Sequence, residues 1–228
     1  MVVLATIGVI LGVALSGGSS KAAVPARGSL VNALPGAPDA QRLLQGIPQH
    51  GNVLGSRSAP VTLLEYVDLQ CPYCQQFETQ AMPALIGHYV RTGKVKIEAR
   101  PIAFIGPDSL RGRAAAIAAS EQNKLFNFAQ ILYLNQGIEN TGWLSDQMVT
   151  SAAASIPGLD VSRLLADSGS GFVKAQAGAF DRQAIADSVR ATPTILVGKS
   201  GRALRPVTLA SPSDAKSVAS AVNAALRS

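Results

Sequence analysis

Cys71 and Cys74 are the only two cysteines in 228 residues, and Pro72 and Tyr73 separate them. Thiols at this spacing can do three kinds of chemistry. A structural disulfide is the weakest reading: bridges stabilise by closing long loops, and this loop is too short to gain much. A metal site would need further ligands. His88 and His50 are the only histidines, and no second close-spaced pair follows to complete a zinc set. A redox dithiol is the reading that local physics favours.

Cys71 closes a β-rich run, "APVTLLEYVDLQ", and opens a stretch with helical spacing through Cys74, Phe77, Ala81, Leu85 and Tyr89. Pro72 suits the first helical position, where no backbone N–H is needed. The sulfur of Cys71 then meets free amide groups and the positive end of the helix dipole, and both stabilise a thiolate. Cysteines so placed titrate at about 3.5 to 7.5, against ~8.5 for a free thiol. Cys74, nearly one turn on, is expected to be the more buried and less reactive sulfur. Two further features belong with the pair. Glu65 shares a strand face with Leu63, Val67 and Leu69, so burial should raise its pKa. Thr192-Pro193 enters a late apolar run, "TILVG".

The elements that must position these residues follow from the patterning. After the first strand and its helix, which Pro83 should disturb, Gly93 is a plausible cap and "KVKIEARPIAFI" reads as a second strand, expected to pair in parallel with the first. An Ala-rich helical block spans about 108–188. It is followed by "TILVG", a partner strand in "RALRPVTL", and a closing helix capped by Ser211 or Ser213. The order is β-α-β, a helical block, then β-β-α. Trp143, Phe126 and Phe128 are read as core.

The net charge is +6, but Lys and Arg are scattered singly with no aromatic-interleaved basic run, which argues against nucleic acid as a partner. With 47% hydrophobic and 15% charged residues the composition is globular. Residues 1–18, with the run "VVLATIGVILGVAL", read as a signal peptide or membrane anchor. No cysteine follows closely enough to carry a lipid. Residues 19–50, rich in Gly, Ser, Ala and Pro, read as a flexible tether with at most one short helix near Gln41–Leu44, and 51–228 as the folded domain. Export places the thiols where disulfides persist.

Three segments, "LGSRSAPVTLLEYVDLQCPYCQQFE", "RAAAIAASEQNKLFNFAQILYLNQ" and "VRATPTILVG", resemble the DsbA-like branch of the thioredoxin superfamily, in particular its membrane-tethered Gram-positive and actinobacterial members. The resemblance implies an α/β thioredoxin fold, β-α-β … β-β-α, with a helical insertion between the halves. It implies that Cys71 is the nucleophile and Cys74 the resolving thiol. Thr192 and a cis Pro193 would face them, and Pro72, Tyr73 and Thr192 would meet substrate. At the register of Glu65, an acidic residue in this superfamily helps move the proton of the buried cysteine. Tyr73 departs from the Pro-His dipeptide of the strongest oxidants, which removes one stabiliser of the thiolate.

The implied activity is that of an extracytoplasmic thiol:disulfide oxidase acting on reduced exported proteins. It would be reoxidised by a quinone-linked membrane protein of the DsbB or vitamin-K-epoxide-reductase type. No metal and no organic cofactor are expected beyond the cysteine pair itself. A disulfide reductase or isomerase of the same fold is the first alternative, and a non-enzymatic tethered peptide-binding module the second. The expected potential lies between about −190 and −110 mV, on a scale where thioredoxin stands near −270 mV.

Overall fold

The computed structural model describes residues 24–228. The apolar run at 1–18 lies outside the described residues. Among the described residues, no helix is long and apolar enough to cross a membrane.

The chain opens with helix α1 (Ala37–Leu44) and two short strands, β1 (Gln49–His50) and β2 (Val53–Leu54), followed by β3 (Val61–Val67). A helical run then carries α2 (Pro72–Gln76) and α3 (Met82–Leu85), each followed by a π-helical turn, Phe77–Ala81 and Ile86–Val90. Strand β4 (Val95–Pro101) comes next. Five helices separate it from β5: α4 (Pro107–Ser120), α5 (Leu125–Leu134), α6 (Asp146–Ala154), α7 (Val161–Asp167) and α8 (Gly171–Ala186). Strands β5 (Thr194–Lys199) and β6 (Arg205–Val207) and helix α9 (Ala215–Arg227) close the chain.

The strands form one mixed sheet in the order β1-β2-β4-β3-β5-β6. β3 and β4 are parallel, as expected of strands joined by a helical crossover, and β5 runs antiparallel to β3. Every residue of β3 is buried. α9 packs on β3 and β5, while α4 and α8 reach β4. A central strand covered on both faces reads as a continuous apolar run, so the alternation that put Glu65 on one face is not what buries it; the strand's position is. This is the thioredoxin fold with a helical insertion.

Three expectations are refined. Pro83 has no N–H to give its helix, and the π-helical turn before it, closed by a bond from the Met82 amide to the Phe77 carbonyl, widens the backbone just where the ring must fit. Asp214, not Ser211 or Ser213, caps α9: its carboxylate accepts from the Ser217 and Ala210 amides. The flexible tether expected over 19–50 is not what stands from Val24 onward. Ala37, Ala40 and Leu44 are core residues, and α1 packs against α5. The backbone of 26–28 bonds to 158–161, with the Gly28 amide 2.8 Å from the Leu159 carbonyl. A Cβ at Gly28 would come within 2.2 Å of the Ile156 carbonyl oxygen. Small residues that look like a linker serve close approach here.

Candidate redox site

The site begins where β3 ends. Asp68 is fully buried, and its carboxylate gathers three backbone amides: Gln70 at 2.9 Å, Phe104 at 2.7 Å and Ile105 at 2.9 Å. Its carbonyl accepts from the Cys71 amide at 3.0 Å. One side chain therefore joins the strand end, the cysteine turn and the loop after β4.

The helical insertion braces the same turn from the other side. Gln70 donates to Ser109 Oγ at 2.9 Å and accepts from the Asn140 amide at 2.8 Å. Gln136 Nε2 reaches the Leu69 carbonyl at 3.0 Å. Gln75 Nε2 donates to the Tyr133 carbonyl at 3.0 Å. Asp68, Gln70 and Gln136 were not singled out from the sequence. Asp68 carried a faint signal, an Asp two residues before a turn amide it can bond; Gln136 carried none, because its partner lies 65 or more residues away.

Cys71 is the N-cap of α2, with extended backbone, and Pro72 is the first helical residue. Cys71 and Cys74 are both buried. The Cys71 thiol is pulled down to about 6, first by hydrogen bonding from the Cys74 thiol, then by the Thr192 side chain and the amides of Cys74 and Tyr73, all acting against desolvation. Cys74 is pushed the other way, by burial and by the neighbouring Cys71 sulfur. The two pKa values are thus driven apart, as attacker and resolver require.

The peptide bond before Pro193 is cis, and the Thr192 carbonyl lies 3.2 Å from Cys71 Sγ. That carbonyl accepts from the neutral thiol and opposes its ionisation, whereas the Thr192 side chain favours it. The outer sulfur is less open than expected: Cys71 is 4% exposed and Cys74 0%. Only a narrow face of Cys71 can be attacked. Tyr73, by contrast, is exposed.

Glu65 lies in the centre of β3, 2% exposed. Burial, then the facing carboxyl of Glu78, holds its pKa well above the usual carboxylate range. Glu78 was not foreseen as a partner. His88 and His50 are both on the surface and do not share the burial of the sulfurs. Phe126 and Phe128 are core, and Trp143 packs against it.

We expect the thiolate absorbance of the reduced protein to titrate near pH 6, with a Cys71→Ala control that removes the step. Because this value lies below that of an unfolded thiol, at about 8.5, ionised Cys71 stabilises the reduced fold. That stabilisation is fully present above pH ~8.5 and is lost as pH falls through about 6. A midpoint at the free-thiol value would contradict the arrangement.

Known proteins share this organisation. The family described as "Thioredoxin" matches residues 49–215. A "Probable disulfide bond formation protein D" of Bacillus cereus is 29% identical over 147 residues, covering 63% of this chain and 68% of that protein. The solved structure of oxidised BdbD from Bacillus subtilis superposes with a TM-score of 0.68 at 20% identity, covering 80% of this chain and 98% of the other. Wolbachia pipientis alpha-DsbA1 gives 0.64 at 17% identity, covering 81% and 92%. With a family match that takes in most of the chain around a dithiol built in this way, the chain belongs to the thioredoxin family, in its DsbA-like branch of thiol:disulfide oxidoreductases.

Proposed function

We propose that the protein donates the Cys71–Cys74 disulfide to reduced proteins outside the cytoplasm. The observation that carries this reading is the acidic Cys71 thiol at the opening of α2. A stabilised thiolate favours the dithiol form, which makes the disulfide the stronger oxidant.

In the donating reaction a substrate thiolate attacks Cys71 Sγ. The bond to Cys74 breaks, and Cys74 leaves with the electron pair and takes a proton. A second substrate thiolate then attacks the substrate sulfur of the mixed disulfide, and Cys71 leaves as the thiolate. The substrate has lost two electrons and the protein has gained them. Thr192 and Pro193 border the sulfur that is attacked, and exposed Tyr73 lies beside it. In this reading they are the surface that a substrate strand meets. A membrane protein of the DsbB or vitamin-K-epoxide-reductase type would return the pair to the disulfide. The name of the Bacillus cereus relative supports the oxidising direction.

The test is an equilibrium titration of Cys71–Cys74 against glutathione, together with oxidative refolding of a reduced substrate. We expect a potential between about −190 and −110 mV and accelerated disulfide formation. A potential near thioredoxin's, about −270 mV, would assign a reductase instead.

A further inference from the structure

Tyr66 lies one residue before the end of β3 and is 0% exposed. A phenol buried so deeply needs a partner for its O–H, and this one has two. It donates to Asp187 Oδ2 at 2.6 Å and accepts from Arg100 Nη1 at 2.7 Å. Arg100 stands directly beside Tyr66 on the parallel strand β4, and the same nitrogen lies 3.6 Å from Asp187 Oδ2. Burial, then the bond to Asp187, raises the phenol to about 12, so the hydroxyl keeps its proton and stays a donor at neutral pH.

Both ends of one loop meet at this residue. Asp187 is the C-cap of α8, and the chain then runs through 188–193 to Thr194, the first residue of β5. Thr194 pairs with Tyr66 across the antiparallel β3–β5 ladder. The Tyr66 hydroxyl thus holds the start of the loop, and its backbone register holds the end. Within the loop, the amides of Ser188 and Val189 bond back into α8, and the Thr194 hydroxyl donates to the Ala191 carbonyl at 2.7 Å. These bonds shape the loop internally without fixing it to β3. Thr192 lies between the two anchored ends, with its carbonyl 3.2 Å from Cys71 Sγ. Hydrogen bonds weaken steeply as their geometry departs from linear, so the contact of Thr192 with the sulfur depends on where the loop is held. Earlier in the same helix, Asp181 accepts from Arg113 of α4 at 2.7 Å, a tie that fastens α8 to the insertion and not to the sheet.

We propose that Tyr66 is a positioning residue for the dithiol: through Asp187 at one end and Thr194 at the other, it sets where segment 188–193 presents Thr192 to Cys71 Sγ. Arg100 completes the clamp, holding the phenol oxygen from β4 and facing the charge of Asp187. Tyr66 acts through Thr192 and takes part in no bond that forms or breaks. The inference rests on Cys71 being the exchanging thiol, and it holds for donation and reduction of disulfides alike.

The test is titration of the thiolate absorbance of the reduced full chain, with the equilibrium against glutathione at neutral pH as a second readout. Tyr66→Phe keeps the ring and removes both bonds of the hydroxyl. It is expected to raise the Cys71 midpoint, making the thiol about threefold to tenfold less acidic, and to shift the glutathione equilibrium toward the protein disulfide by up to the same factor. Asp187→Ala should give the same rise. The double variant should shift no further than either single one, because the two substitutions break one bond. The sign is diagnostic: removing the Asp187 charge without moving the loop would favour the thiolate and lower the midpoint. Asp187→Asn keeps an accepting oxygen for the phenol and should fall between. Asp181→Asn releases α8 from α4 but leaves the clamp, so its midpoint should stay near 6 whatever it costs in stability. An unmoved midpoint in Tyr66→Phe, a fall in Asp187→Ala, additive shifts in the double variant, or an equal shift in Asp181→Asn would each overturn the inference and leave the dithiol reading standing. Should Tyr66→Phe not fold, the two variants of Asp187, which lies at the surface, decide the matter. A midpoint at the free-thiol value in the unmodified protein would remove both readings.

Discussion

Replacing Cys71 by alanine is expected to abolish disulfide transfer to a reduced substrate, leaving only the background exchange of the assay. Cys71 is the one sulfur that combines a thiol near 6 with any open face. Cys74 cannot substitute for it, because that sulfur is wholly buried and its proton affinity is raised. Cys74→Ala should fail differently. Its Cys71 still forms a mixed disulfide, but no second thiol of the protein resolves it, so the adduct accumulates and mass spectrometry of the quenched reaction detects it. Both variants should fold. If Cys71→Ala kept accelerating oxidative refolding, the protein would be assisting its substrates by binding them, and the dithiol would be incidental.

Asp68→Ala is expected to destabilise the protein by about 3–5 kcal/mol. The fully buried carboxylate holds the buried amide of Gln70 and the partly buried amides of Phe104 and Ile105, and each buried amide left without a partner costs about 1–3 kcal/mol. The three amides belong to two separate loops, so the variant should also loosen the turn that carries Cys71. Asp68→Asn, which keeps one accepting oxygen, should lose roughly half as much. Denaturant unfolding of the reduced proteins measures both. A loss under about 1 kcal/mol for alanine would mean that water or relaxation satisfies these amides, and that the carboxylate is not what ties the loops together.

Much of the fold was legible in the sequence because it rests on local signals. The β-rich run into Cys71, the helical spacing after it and the proline entering "TILVG" each act over a few residues. They placed β3, the helical run after Cys71 and β5 correctly. The linker reading of 19–50 failed over its described part for a physical reason. Small residues, Gly and Pro have the same composition whether they form a loose chain or pack tightly against another segment. Only the partner carbonyls of Ile156 and Leu159 decide which. The cap of α9 went to Asp214 rather than to a serine, a choice between neighbours that depends on which side chain the preceding turn points at the free amides.

The candidate site divides in the same way. What the sequence by itself determined is the chemistry of the pair: a thiol at the first turn of a helix feels that helix's amides and dipole, and both belong to residues within a few positions of Cys71. The local part of that sulfur's acidity was therefore readable from "CPYC" and the strand before it, whereas the part supplied by the Thr192 side chain was not. What only the tertiary structure decided is everything that depends on distant partners. The Thr192 carbonyl sits 3.2 Å from Cys71 Sγ although 121 residues separate them. Gln136 reaches back to Leu69 from the insertion. Glu65 and Glu78 became a pair only when the helical run settled over β3, since a carboxyl on a strand and a carboxyl on a helix have no shared periodicity through which a sequence can announce their contact. Through-bond proximity is written along the chain; the burial that raises the proton affinity of both carboxyls exists only once the core has closed around them.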